Sequence, residues 1–148
     1  MTDNTKKAKQ PDLLRRLLAA FYDALLLLAL FFVASAIMMG FNDDKAIQPG
    51  QPLSWLLTLL LIMISFLFYG WFWTHGGQTL GMKSWKMRLT QNDGSAVTWP
   101  IALIRFVTAI LSWAALGLGF LWSLFDSRNR TWHDIASATE LHDLRNGH

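Results

Sequence analysis

The chain has 148 residues, of which 53% are hydrophobic, and its formal net charge at pH 7 is +3. Its charged residues fall in a few clusters, and the apolar stretches between them are longer than a soluble domain of this size can bury. We therefore expect an integral membrane protein with a single domain. The absence of cysteine excludes disulfides and thiolate metal sites, and basic residues that flank apolar runs indicate membrane topology rather than nucleic-acid binding.

The first apolar segment predicts a transmembrane helix over residues 13–40, after a polar, basic tail over residues 1–12. A cleaved signal peptide is the alternative, but the apolar residues beyond Ala34 favour a span. Asp23 follows Arg16 by about two helical turns, so both side chains project from one face. An ionisable group inside a membrane segment is costly and marks a functional-site hypothesis. The alternative is a packing role, with a cation on a neighbouring helix as partner.

A second transmembrane helix is predicted over residues 53–73, which hold no charge and carry tryptophans near both ends. The polar segment that follows contains alternating apolar and polar residues from Trp85 to Thr90, then a turn at Asn92–Gly94. We expect a small β-hairpin over residues 84–99 at the membrane surface.

The third apolar segment, residues 101–125, contains Arg105 near its start and a glycine pair at 117 and 119. Basic residues are frequent in the N-terminal segment and in residues 74–100, so both are expected in the cytoplasm. A single crossing would place the basic tail outside, whereas a bend at the glycines returns it to the cytoplasm. We favour the bend. The predicted fold class is an all-α integral membrane protein with two transmembrane helices, a third bent or re-entrant helical segment and a small cytoplasmic β-hairpin between helices 2 and 3.

Two charged groups of residues are candidate sites. Arg105 is the other charged residue well inside an apolar run, so we hypothesise an Asp23–Arg105 pair within an intramembrane network that also includes Arg16. A cytoplasmic charge cluster in the tail could contact anionic lipid headgroups, or simply anchor the tail at the surface. Its members are Asp126, Arg128, Arg130 and Asp134.

No catalytic signature is evident. No two of the four histidines share a helix face at a spacing of four residues, and the chain contains no nucleophile elbow and no phosphate loop. We therefore expect a protein that is not an enzyme and that uses no cofactor and no metal.

Taken together, the motifs resemble the RDD-domain family of small multi-spanning bacterial membrane proteins. The resemblance covers about residues 10–142 and includes Arg16 and Asp23 in the first helix, Arg105, and the tail motif over residues 126–134. A family turn motif follows the second helix. Its residues here are Gly77, Gln78, Thr79, Gly81 and Lys83.

The resemblance leaves two points open. It makes Asp134 the second family aspartate, with Asp126 as the alternative. Residues 137–142 are more polar than the usual family tail, so it does not predict a tight pairing of this tail with the strand near Met87.

The resemblance implies a single membrane domain over residues 13–142, followed by a short tail over residues 143–148. It also implies a multi-pass protein of the bacterial inner membrane with a cytoplasmic N-terminus. Transport of an ion or small solute is the expected function, and since three spans are few for a pore, a homo-oligomer is expected with it. The alternative is a structural or accessory membrane protein that binds lipid or a partner.

Overall fold

The computed structural model describes residues 10–43 and 45–146. Most of the predicted N-terminal tail (residues 1–9) and the last two residues of the C-terminal tail lie outside the described residues. These residues form six α-helices and two strands: α1 Leu13–Gly40, α2 Pro52–Thr74, α3 Leu80–Ser84, β1 Met87–Gln91, α4 Trp99–Ala114, α5 Leu118–Leu121, α6 Trp132–Ala136 and β2 Thr139–Asp143. Short 3-10 helices follow α5 (Trp122–Leu124) and β2 (Leu144–Asn146).

Helices α1 and α2 are the two long apolar helices that the sequence predicts. With 28 and 23 residues, both are long and apolar enough to cross a membrane. Pro52 opens α2, where its missing N–H leaves no helical hydrogen bond unmade. Half of their leucine and phenylalanine side chains are exposed in the isolated chain, which suits a lipid environment. The prediction of two membrane helices is confirmed.

The third apolar segment is bent, as predicted. Helix α4 and the following helical stretch Leu118–Leu124 meet at an angle of 103°. The chain turns at Leu116 and Gly117, whose φ angles are +59° and +76°. The amide of Gly117 donates to the carbonyl of Ser112, at 2.9 Å, and so closes the end of α4.

A two-stranded antiparallel sheet is present, but its second strand is not the predicted one. β1 pairs with β2 in the register Met87–Asp143 to Gln91–Thr139, whereas residues 96–98 form no strand and lead into α4. The turn after β1 does form, with the amide of Gly94 2.9 Å from the carbonyl of Gln91. On β1, however, the amide of Leu89 donates to the carbonyl of Gly77, at 2.7 Å. The Gly77 carbonyl thus accepts a hydrogen bond from β1 that the return strand of a hairpin could otherwise have accepted.

Three parts of the chain meet at one end of the molecule, and we call this end the polar layer: residues 10–16, 77–91 and 126–143. The Arg15 guanidinium lies 2.6 Å from the Asp143 carboxylate and also donates to the Trp85 carbonyl. Apolar side chains from both strands are almost fully buried beneath it, including Met87 and Leu141. The polar tail thus pairs with β1 despite its composition, because its strand is buried against the start of α1 and α4.

Candidate functional site

The polar layer is organised around the carboxylate of Asp134, which binds two arginines from different helices. Arg16 Nη1 of α1 lies 2.6 Å from its Oδ2, and Arg105 Nη1 of α4 lies 2.5 Å from its Oδ1. All three side chains are buried, with no more than 6% of any residue exposed. A carboxylate with both oxygens bound to guanidinium groups joins the two helices to the tail.

Local structure fixes each member of this cluster. Asp134 is the third residue of α6, and its Oδ2 accepts from the backbone amide of Thr131, at 3.1 Å, as a helix-capping acid does. Arg105 Nη1 also donates to Thr139 Oγ1, at 2.9 Å, and its guanidinium lies 5.2 Å from the centroid of the Trp73 ring. A cation held by a carboxylate, a hydroxyl and an aromatic face has little freedom to move.

The remaining donors of Arg16 bind residues just before α1. Its Nε donates to the Pro11 carbonyl, at 3.2 Å, and its Nη2 donates to the Gln10 side chain. The Gln10 oxygen also accepts from the amide of Leu141 in β2, at 3.4 Å. The residues before α1 are therefore part of the cluster, although the sequence alone marked only Arg16.

The electrostatics of the cluster keep Asp134 charged and its neighbour His133 neutral. Burial by itself raises the pKa of Asp134, but Arg16 and Arg105 hold that pKa well below its usual range. Burial and the positive charge of Arg105 lower the pKa of His133 to about 3. His133 is therefore an uncharged side chain at neutral pH, packed against the Phe120 ring at 4.8 Å between centroids.

The predicted Asp23–Arg105 pair is not formed. Asp23 of α1 instead accepts from Thr79 Oγ1, at 2.6 Å, and from the backbone amide of Gly81, at 2.8 Å. Arg105 is held by Asp134, because α6 presents its capping carboxylate directly between the two arginines. The predicted network of Arg16, Asp23 and Arg105 thus becomes two separate clusters, in which Asp134 replaces Asp23 as the partner of both arginines.

The family turn motif provides the partners of Asp23. Thr79 precedes α3 and its hydroxyl accepts from the Met82 amide, at 3.1 Å, so one hydroxyl both caps α3 and donates to Asp23. Gly81 packs against the Ala19 backbone, and a Cβ at this position would overlap the Ala19 carbonyl and approach the Asp23 carboxyl. A small residue is therefore required where α3 crosses α1.

The other motif residues have different surroundings. Gly77 has a φ of +71° and accepts the hydrogen bond from Leu89, and Gln78 Nε2 donates to the Met87 carbonyl, at 2.8 Å. Lys83 is exposed on α3. The motif therefore connects α3 to β1 on one side and to α1 on the other.

The predicted tail cluster divides into separate pairs. Arg130 binds Asp126 at 3.0 Å, and this hydrogen bond helps to lower the pKa of Asp126 to about 2. Arg128 binds Glu140 of β2 at 2.7 Å. Asp134 alone among the four predicted residues contacts Arg16 and Arg105. Sequence reasoning missed Glu140 and Thr139, because their partners Arg128 and Arg105 are brought to them by the tertiary fold rather than by any regular local spacing.

A chamber of about 530 Å³ lies between α1, α2 and α4, and it is partly open to the surroundings. Asp23 contributes to the chamber wall. The wall is mainly apolar, and it has Arg16, Arg105 and His133 among its lining residues. Such a space has the size of a small-molecule site. Within residues 10–43 and 45–146, no group of three or more histidine and acidic side chains is placed to hold a metal ion.

The comparisons agree with these features. The family model described as "RDD family" matches residues 10–138, a range that contains the charged residues of both clusters. No curated protein and no solved structure gives a significant match. The family match covers most of the chain and includes Arg16, Asp23, Arg105 and Asp134. The chain is therefore a membrane protein that belongs to the RDD family.

Proposed function

We propose that the protein takes part in transport of an ion or small solute across the membrane and that the chamber between α1, α2 and α4 is part of the pathway. The observation that carries the proposal is the position of Asp23, a buried carboxylate in the wall of a mainly apolar chamber. Burying such a group is costly, and its two hydrogen bonds come from neutral donors. A role for its charge or its proton gives a reason for that cost.

The setting that we propose is the bacterial inner membrane, with a multi-pass arrangement and the polar layer in the cytoplasm. Lys83, Lys86 and Arg88 of this layer are exposed cations, and in this setting they would contact anionic lipid headgroups. The chamber is partly open in the single chain, so a homo-oligomer would close it. We propose no catalytic activity and no nucleic-acid partner.

A flux assay tests the proposal. Purified protein is reconstituted into liposomes, and proton and monovalent-cation fluxes are compared with those of empty vesicles. We expect flux from the wild type and loss of flux from Asp23→Asn. Asp43→Asn is the matched control, because Asp43 lies exposed in the loop after α1. Cross-linking of the same vesicles reports the oligomeric state. Wild-type flux equal to that of empty vesicles would remove the transport proposal.

A second candidate, a structural or accessory membrane protein, is favoured by a different observation. Asp134 forms an ion pair with both buried arginines within one chain, as a purely structural clamp would. This function predicts that Asp23→Asn reduces the amount of assembled protein in the membrane. Transport predicts normal accumulation with lost flux, so measuring both quantities on one preparation separates the two functions.

A further inference from the structure

We infer that the chamber between α1, α2 and α4 binds an organic cation with an apolar body, whose positive charge lies against the carboxylate of Asp23. This inference rests on the proposed transport function and names the class of solute. It follows from the ion pairing of the charged residues around the chamber, from the side chains of its walls and from its size.

The ion pairs around the chamber leave Asp23, the acidic residue of its lining, without a cation bound to it. Arg16 and Arg105 are both bound to Asp134, at 2.6 and 2.5 Å. Within residues 10–43 and 45–146, Asp23 takes part in no ion pair, and its oxygens accept only from Thr79 and Gly81. The two guanidiniums and the two carboxylates balance in number, but both guanidiniums bind Asp134, so Asp23 has no direct ion-pair partner. A positively charged ligand in the chamber would give Asp23 such a partner.

The walls suit an organic rather than a hydrated inorganic cation. The lining is mainly apolar, and its oxygen-bearing side chains are Asp23, Thr58, Ser65 and Tyr69. Such a wall offers few oxygen atoms to replace the hydration shell of a small ion. Aromatic rings line the chamber from all three helices, and their faces attract alkylated or arylated cations. These rings include Phe31, Tyr69, Trp73, Phe106 and Trp113.

The size of the chamber agrees with this solute class. Its volume of about 530 Å³ falls within the range of roughly 300–1,000 Å³ that is usual for small-molecule sites. Small side chains make the room: Ala20 and Ala24 of α1, one helical turn apart, both line the chamber beside Asp23. The chamber therefore combines a carboxylate, aromatic faces and space for several carbon groups around one positive centre.

The test measures equilibrium binding of radiolabelled tetraphenylphosphonium to purified protein in detergent. Tetraphenylborate, with the same shape and the opposite charge, is the matched ligand. We expect saturable binding of the phosphonium and none of the borate. Asp23→Asn should weaken phosphonium binding at least about tenfold, since a charge pair across a few ångströms of protein is lost. Asp43→Asn should bind as the wild type does.

A second pair of variants keeps the test decisive if Asp23→Asn does not fold. Ala24→Trp fills the chamber, whereas Leu25→Trp adds the same ring on an exposed part of α1 outside the chamber lining. We expect the first to abolish phosphonium binding and the second to preserve it. Equal binding of both ligands, or unchanged binding in Ala24→Trp, would overturn the inference. Proton or cation flux in the liposome assay without phosphonium binding would leave the transport proposal intact. Phosphonium binding without proton, monovalent-cation or phosphonium flux in the same liposomes would remove transport and keep the site.

Discussion

Arg16 and Asp134 lie 118 residues apart in the chain, yet their side chains form a buried ion pair of 2.6 Å. Because Arg105 binds the other oxygen of the same carboxylate, this one residue holds α1, α4 and the tail together. Its removal would leave two buried guanidiniums without a counter-ion, which is more costly than losing an exposed pair.

We therefore expect Asp134→Asn to lower the free energy of unfolding by ~3–5 kcal/mol, the range for breaking a buried pair. Denaturant unfolding in detergent, followed by tryptophan fluorescence, measures this loss. Asp43→Asn, at an exposed loop position, is the control and should unfold with the wild type. An Asp134→Asn protein as stable as this control would show that the cluster does not hold the tail.

A double-mutant cycle tests the separation of the two clusters. Asp23 and Arg105 share no hydrogen-bond partner among the described residues, so the effects of Asp23→Asn and Arg105→Gln should add to within ~0.5 kcal/mol. Arg105→Gln combined with Asp134→Asn should deviate from additivity by more than that, since the two side chains are in contact. Strong coupling between positions 23 and 105 would restore the ion pair that the sequence had suggested.

How far the sequence predicts this fold depends on whether the signal is local. The bounds of α1 and α2 follow from the apolar runs, and the bend of the third segment follows from its glycines and from the basic bias of the tail. The partner of β1 could not be predicted in this way. Residues 96–99 offered a nearby apolar strand, but β1 pairs with a polar strand that begins 48 residues after Gln91.

The same limit applies to the site. Arg16, Asp23, Arg105 and Asp134 all stand out as charges within apolar or motif sequence, but charge alone suggested the wrong partner for Arg105. Asp23 binds a backbone amide and a hydroxyl, and neither group has a charge that would reveal it in the sequence. The family turn motif indicates these two partners of Asp23 only when the crossing of α3 over α1 is known.

Gly81→Ala should disturb this crossing. The added methyl group would overlap the Ala19 carbonyl and crowd the Asp23 carboxyl, so we expect a loss of ~1–3 kcal/mol in the free energy of unfolding, as for other overpacked sites. Gly40→Ala is the matched control, because a Cβ at Gly40 meets no atom within 4 Å. Thermal unfolding of the two variants decides the matter, and similar midpoints for both would contradict the close packing of α3 on α1.

His133 should make stability depend on pH in mildly acidic solution. Its pKa is about 3 in the folded protein and ~6.5 in an unfolded chain, so between these values the unfolded state binds the additional proton. The contribution of neutral His133 is fully present above pH ~6.5 and is lost as the pH falls toward 3. We expect the midpoint temperature of thermal unfolding of the wild type to decrease as the pH is lowered from 7 to 5. That of His133→Phe should decrease less. Parallel curves for the two proteins would contradict a buried, neutral His133.

The central claim is that the Asp134 cluster holds the tail at the same membrane face as the start of α1 and the β1 region. Cysteine accessibility tests this claim most directly. The chain has no cysteine, so each single-cysteine variant reports one position. Lys86→Cys, Leu144→Cys and Lys45→Cys change exposed residues before β1, after β2 and in the loop between α1 and α2. Labelling with a membrane-impermeant maleimide in sealed vesicles should give the same sidedness for Lys86→Cys and Leu144→Cys and the opposite sidedness for Lys45→Cys. Labelling of Leu144→Cys from the same side as Lys45→Cys would contradict the β1–β2 pairing and the cluster built on it.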